Sequence, residues 1–232
     1  MPEAYVLGPI WYVVFLLSLT CHEAAHALAA KWGGDLTAFH AGQVTLDPIP
    51  HMRREPFGTI LVPILSYILG GWMIGWASAP YDPTWQQRYP RRAAFMALAG
   101  PVANLILALM AVLAMWMGGQ LGFFNPPNLY GLDYHQIVTA TEKGLPNAFA
   151  VFFSIMFSLN ILLTTFNLMP VPPLDGNTVI GLLLPEKLAL QFAELSHNPM
   201  FAMVGLIAAW KFFPVVFKPV FWGAMRFLAN IF

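Results

Sequence analysis

Charge is scarce in this chain: Asp, Glu, Lys and Arg make up only 9% of its 232 residues, against about 25% in an average soluble domain. The formal net charge is zero, so no basic patch argues for a nucleic-acid partner. A single cysteine, Cys21, excludes an internal disulfide and a zinc site made of cysteines alone. No basic stretch precedes the first apolar run, which ends in Lys-Trp-Gly-Gly instead of a small-residue cleavage site; a retained helix is expected there, not a signal peptide. Internal repeats, low-complexity tracts and long polar insertions are also missing. That leaves little room for an appended soluble domain, and residues 1–232 are expected to form one domain.

What fills the chain is apolar, with 58% hydrophobic residues. Tyr5 to Ala30, Gly58 to Ser78, Ala93 to Met117 and Ala148 to Met169 reach or approach the roughly 20 apolar residues that cross a hydrocarbon core as a helix. The tail from Met200 is interrupted by Lys211, Pro214, Lys218 and Pro219, and suits either one span with a snorkelling lysine or two short membrane segments. The expected fold is therefore all-α and polytopic, with about five to six membrane segments. The loop after the first span carries Lys31, Arg53 and Arg54, and the next, expected on the opposite side of the membrane, carries Arg88, Arg91 and Arg92. The positive-inside count is then tied and orientation is left open.

Against this background "LTCHEAAHALAAKWGG", residues 19 to 34, is anomalous. His22 and His26 stand four apart, on one helix face, and can offer imidazole nitrogens to one zinc ion, with Glu23 beside them. Ionisable groups within a membrane helix are costly and usually mark a site; the competing reading is a polar end of an amphipathic helix. In metalloprotease chemistry neutral imidazoles hold zinc, zinc acidifies water, and a carboxylate takes the proton and returns it to the leaving amine. Glu23 is the candidate for that task. Cys21 points away from the histidine face and reads as a small apolar residue. Gly33 and Gly34 suit a left-handed helix end.

A catalytic zinc usually takes three protein ligands and keeps one open position. Asp175, in "NLMPVPPLDG" (residues 167 to 176), follows a break that Pro170, Pro172 and Pro173 impose on the chain. Non-helical backbone at membrane depth is tolerated only where protein or a water-filled cavity covers it. Asp175 can be the third ligand or the N-cap of a helix over residues 176 to 184. On spacing alone His51, His135 and His197 also remain candidates.

HEAAH near the end of a first membrane helix, followed by LDG after a proline-rich break, resembles the site-2 protease family of intramembrane zinc metalloproteases. "ALAGPVANL", residues 97 to 105, is similar to that family's Gly-Pro-x-x-Asn element, and "LDPIPHMRREPFGTILVP", residues 46 to 63, to the loop of compact members that lack a PDZ domain. The resemblance runs from about Thr20 to Leu184. It implies zinc held by His22, His26 and Asp175, Glu23 as catalytic base, and roles near the active site for Asn104 and Asn167. It also implies a multi-pass protein of a prokaryotic cell membrane. One departure is Ser78 in "GWASAP", where compact members often carry lysine.

From physics alone, Asn104 and Asn167 are amides that need partners in a low-dielectric bundle. Asn104 lies on a small-residue seam with Ala97, Gly100 and Ala108, where interhelical hydrogen bonding and substrate contact are both open. Asn167, at the start of the break, is placed to stabilise an oxyanion. "DLTAFHAGQVTLDP", residues 35 to 48, has β-branched and aromatic residues around a glycine turn and is expected to form a β-hairpin near the active site. Its edge would receive an unwound substrate by strand addition; His40 and His51 flank it as interfacial polar residues. The function expected is zinc-dependent endopeptidase cleavage in or near a transmembrane segment of a membrane protein within the lipid bilayer. The alternative is a membrane zinc transporter or metal-binding sensor using the same histidines.

Overall fold

A computed structural model describes residues 2–129, 133–195 and 198–232. The first helix, α1 (Pro2–Gly33), carries a candidate span at Leu7–Gly33. It ends where Gly34 takes a φ of +98°, with Asp35 N donating back to Ala30 O at 2.9 Å.

Residues 35–48 do not form the expected hairpin. The Asp35 carboxylate accepts from both the backbone N and the hydroxyl of Thr37, at 2.9 and 2.6 Å. That local turn starts a short helix, α2 (Thr37–His40), in place of a strand. Bends follow, and then α3 (Pro48–Arg54), whose N-cap Asp47 accepts from Ile49 N and whose first position is proline.

The second expected crossing is also revised. A π-helical turn (Phe57–Leu61) continues into α4 (Val62–Gly70), and Gly71, at φ +74°, stops the helix. At 1.5 Å per residue, Phe57–Gly70 spans only about 21 Å, short of a hydrocarbon core of about 30 Å. The chain then returns as an extended segment, residues 72–82. Gly58 and Gly75 allow the two limbs to touch, since a Cβ on either would collide with the other limb's backbone, and Trp76 N donates to Gly58 O. Ser78, at the position where compact members often have lysine, donates to Glu55 at 2.7 Å.

Asp82 N-caps α5 (Pro83–Arg88), and the hydroxyl and N–H of Thr84 hold its carboxyl below the usual carboxylate range. The long α6 (Pro90–Gln120) follows. A small antiparallel sheet lies beyond it: β1 (Phe124–Asn125) pairs with β2 (Thr139–Ala140), Phe124 opposite Ala140. Next come α7 (Leu145–Asn167), the proline-broken segment, α8 (Asp175–Val179) with a 3-10 turn (Ile180–Leu182), and α9 (Glu186–Leu195). The tail is one helix, α10 (Pro199–Ile231), with Pro214 and Pro219 inside it.

Among the described residues α1, α6, α7 and α10 are long and apolar enough to cross a membrane. The core sits between them: Trp11, Val14 and Phe15 of α1, Ala111 and Met115 of α6, Ile155 and Phe157 of α7, Phe221 and Met225 of α10. The expected seam on α6 is realised, with Ala97, Gly100, Asn104 and Ala108 all buried. Small side chains there let α6 lie close against α1 and α7. Its outer face, including Val102, Ile106, Leu109 and Leu113, is exposed and apolar, as suits contact with lipid.

Candidate metal centre

His22 and His26 project from the buried face of α1, 6% and 8% exposed, with their Nε2 atoms 2.9 Å apart. Asp175 meets them from α8: Oδ2 lies 3.1 Å from His22 Nε2 and Oδ1 3.4 Å from His26 Nε2. One ligand atom from each lies within 4.8 Å of the others. Leu174 occupies the position before α8, and Asp175 is the first helical residue, so its carboxylate turns back to α1 instead of capping. The glycine of LDG is needed for this fold-back, because a Cβ on Gly176 would collide with the Leu168 and Met169 carbonyls at the end of α7.

Each histidine's second nitrogen is engaged. His26 Nδ1 lies 2.7 Å from Met96 O, and His22 Nδ1 lies 2.5 Å from the Asn104 side-chain oxygen. With Nδ1 donating in both rings, the Nε2 lone pairs face each other and the carboxylate. Asp175 Oδ2 is buried without a hydrogen-bond donor. Three electron-rich groups so close suit a cation among them, and two imidazoles plus one carboxylate, with outer hydrogen bonds in place, are a zinc donor set. Gly100 of α6 closes over the histidines: a Cβ there would run into Nε2 of both. The donor set, the orphaned carboxylate oxygen and this cradle all fit a metal ion.

Glu23 follows His22 on α1 and is buried. Asn104 is fully buried, and its amide bonds to His22, to Ser18 O at 3.2 Å and to Asn160 at 2.8 Å. Of the two roles open for it, interhelical bonding is the one the contacts display. Asn167 closes α7, half-buried, at the lip of the break. His51 is buried elsewhere, its Nε2 3.1 Å from Thr45 O, and His135 accepts from Trp11 Nε1 at 2.9 Å. His40 packs on Phe39, Cys21 is half-buried, and His197 lies outside the described residues.

Sequence reasoning placed Gly100 on a packing seam only, and did not single out Ser18, Asn160 or the Met96 carbonyl. Asn160 donates to Ser18 Oγ at 2.9 Å and to Met156 O at 2.8 Å, and Ser18 Oγ donates to Val14 O at 2.7 Å. An amide in mid-span was the available signal, since leaving one unpaired in the interior costs about 1–3 kcal/mol.

The bundle and its His-His-Asp cluster define the class of the site-2 proteases, and the chain belongs to it: the model of peptidase family M50 matches residues 10–209. It is 35% identical over 191 residues to "Putative zinc metalloprotease YwhC" of Bacillus subtilis, a match covering 81% of this chain and 75% of that protein. It is 32% identical over 163 residues to "Putative zinc metalloprotease Rip2" of Mycobacterium tuberculosis, and 30% identical over 165 residues to the protein of that name in Mycolicibacterium smegmatis. Each of these covers 70% of this chain but only 52% of the mycobacterial protein. No solved structure matches the chain.

Proposed function

We propose that this protein is a zinc-dependent endopeptidase that hydrolyses a peptide bond in or near a transmembrane segment of another membrane protein. The observation that carries the reading is the convergence of His22, His26 and Asp175 between helices long enough to cross a membrane. His22 Nε2, His26 Nε2 and an Asp175 oxygen would hold the metal. When bound, zinc would polarise the scissile carbonyl and acidify water. Glu23 takes the proton of the attacking water as the new C–O bond forms, and passes it to the amine as the C–N bond breaks. Asn167 offers its amide to the oxygen on which negative charge develops.

A substrate helix must unwind before its carbonyl can be attacked, and the freed backbone groups then need partners. The extended segment 72–82 supports a role as that partner. It starts beside Trp11, where Trp72 packs with ring centroids 5.4 Å apart, and ends where Asp82 N donates to Asp35 at 2.8 Å. It therefore passes the level of His22 and His26 along α1. Toward the other end, α1 buries Phe15, Val14 and Trp11 in apolar packing, which favours a closed site over an ion path along that helix.

The test is Glu23→Gln, purified and assayed for both zinc and cleavage. Zinc content is expected to stay at the wild-type level while peptide cleavage falls by about 10²–10⁴, the usual worth of a general base. Unchanged cleavage would overturn the assignment.

A further inference from the structure

We propose that Asn160, in the middle of α7, is a positioning residue for His22: acting through Asn104, it selects the imidazole tautomer whose Nε2 lone pair faces Asp175. Its consequence for zinc rests on the metalloprotease reading, whereas the hydrogen-bond chain does not.

The chain can be followed from a group that only accepts. Met156 O lies 2.8 Å from the side-chain amide nitrogen of Asn160, so that end of the amide is the NH₂ and the other end is the acceptor. Ser18 agrees, because its hydroxyl donates to Val14 O and so offers a lone pair to the same NH₂ at 2.9 Å. Asn160 Oδ1 is therefore turned to Asn104, whose facing atom must be a donor, and Ser18 O at 3.2 Å from that atom requires the same. Asn104 is left with its oxygen toward His22 Nδ1, which must carry the ring proton. Amide and tautomer assignments are ordinarily inferred from the network as a whole; here main-chain carbonyls anchor both amides. Ser18, Asn104 and Asn160 are each 0% exposed, so bulk water does not compete for these bonds.

The two histidines differ in this respect. His26 Nδ1 faces a main-chain carbonyl, Met96 O, which no substitution removes. His22 depends on a side chain, Asn104, whose NH₂ is held by Ser18 O at 3.2 Å and more closely, at 2.8 Å, by Asn160 Oδ1 on a third helix, the helix that leads into the Asp175 segment. A merely structural Asn160 would support the packing of α1, α6 and α7 and leave the choice of tautomer alone.

The experiment uses the full chain with ¹⁵N-labelled histidine, metal-free in alkaline solution, together with zinc affinity from chelator competition. In the wild type both rings are expected to carry the proton on Nδ1. In Asn160→Leu, His22 is expected to populate both tautomers while His26 keeps its own, and zinc affinity is expected to fall about 10–100-fold, the usual effect of losing an outer partner. Asn160→Ser carries the same expectation with less risk to folding. Its hydroxyl can bond Met156 O, as Ser154 and Thr165 bond the carbonyls four residues before them, but it is too short to reach Asn104. A His22 proton on Nε2 in the wild type, or an unchanged His22 with wild-type zinc affinity in a folded variant, would overturn the proposal. If the wild type binds no zinc, the metalloprotease reading fails, and the tautomer signals still decide this one.

Discussion

At the scale of single residues, the centre depends on a position with no side chain. Gly100 lies over both histidines, and the hydrogen atom it presents is what leaves the Nε2 lone pairs accessible. Gly100→Ala is expected to leave the protein folded, because alanine suits a helix interior better than glycine, but to push both imidazoles off their outer partners. Zinc bound per chain, measured by elemental analysis after dialysis, should fall at least tenfold at limiting zinc, by the same logic as loss of an outer hydrogen bond. Gly223→Ala, in open space on α10, serves as the control and should bind zinc like the wild type. Full zinc occupancy in Gly100→Ala would mean that the cradle is looser than the geometry states. The pairing of His22 with His26 was legible in the sequence because two costly groups at metal-ligand spacing in an apolar run mark a site. Asn160 was not, and Gly100 was read only as part of a packing seam, because a lone amide or glycine gains its meaning only from what α1 places opposite it. Asp175 lay between: the prolines marked the break, but whether its carboxylate caps or ligates is decided by a fold-back of about 150 residues, which spacing does not encode.

At the scale of elements, apolar length proved a good guide for α1, α6 and α7 and a poor one for Gly58 to Ser78. Hydropathy counts residues and ignores rise: a helix that stops at Gly70 and returns extended has the composition of a span without its length. Residues 35–48 failed for a different reason, because alternating β-formers are outweighed locally when Asp35 can cap a turn through Thr37. The segment that runs alongside α1 without regular structure is thus residues 72–82, and the proposed strand addition belongs there. Ala77→Pro removes a backbone donor from that segment and is expected to slow cleavage of a helical substrate by roughly two- to tenfold, the worth of one hydrogen bond. Leu46→Pro, in the bends after α2, should stay within about twofold of the wild type by the same measure. Cleavage assays alongside zinc content separate the two; equal rates in both variants would remove the segment from substrate binding.

At the scale of the whole molecule, the return of residues 72–82 decides how the protein sits in its membrane. Because Phe57–Gly70 does not cross, α5 and the start of α6 come back to the end of α1: Trp85 Nε1 donates to Gly33 O at 3.1 Å, and Arg92 to the same carbonyl at 3.0 Å. Arg54 donates to Ser78 O on the returning limb. Lys31, Arg53, Arg54, Arg88, Arg91 and Arg92, which tie when Gly58 to Ser78 is counted as a crossing, thus gather at one end, joined by Lys187 of α9. Lys143 lies at the other end, between β2 and α7, and Arg226 approaches it near the finish of α10, where Phe232 lies beside Gly119. The positive-inside rule then predicts that the end bearing α2, α3 and α5 is cytoplasmic. His22 and His26 lie toward that end of α1, so the proposed cleavage is expected on the cytoplasmic side of the bilayer. In a Cys21→Ala background, Glu142→Cys, exposed between β2 and α7, is expected to react with a membrane-impermeant maleimide on intact cells. Gln87→Cys, exposed on α5, is expected to react only after permeabilisation. The opposite labelling pattern would invert the orientation and return the basic residues to a role other than setting topology.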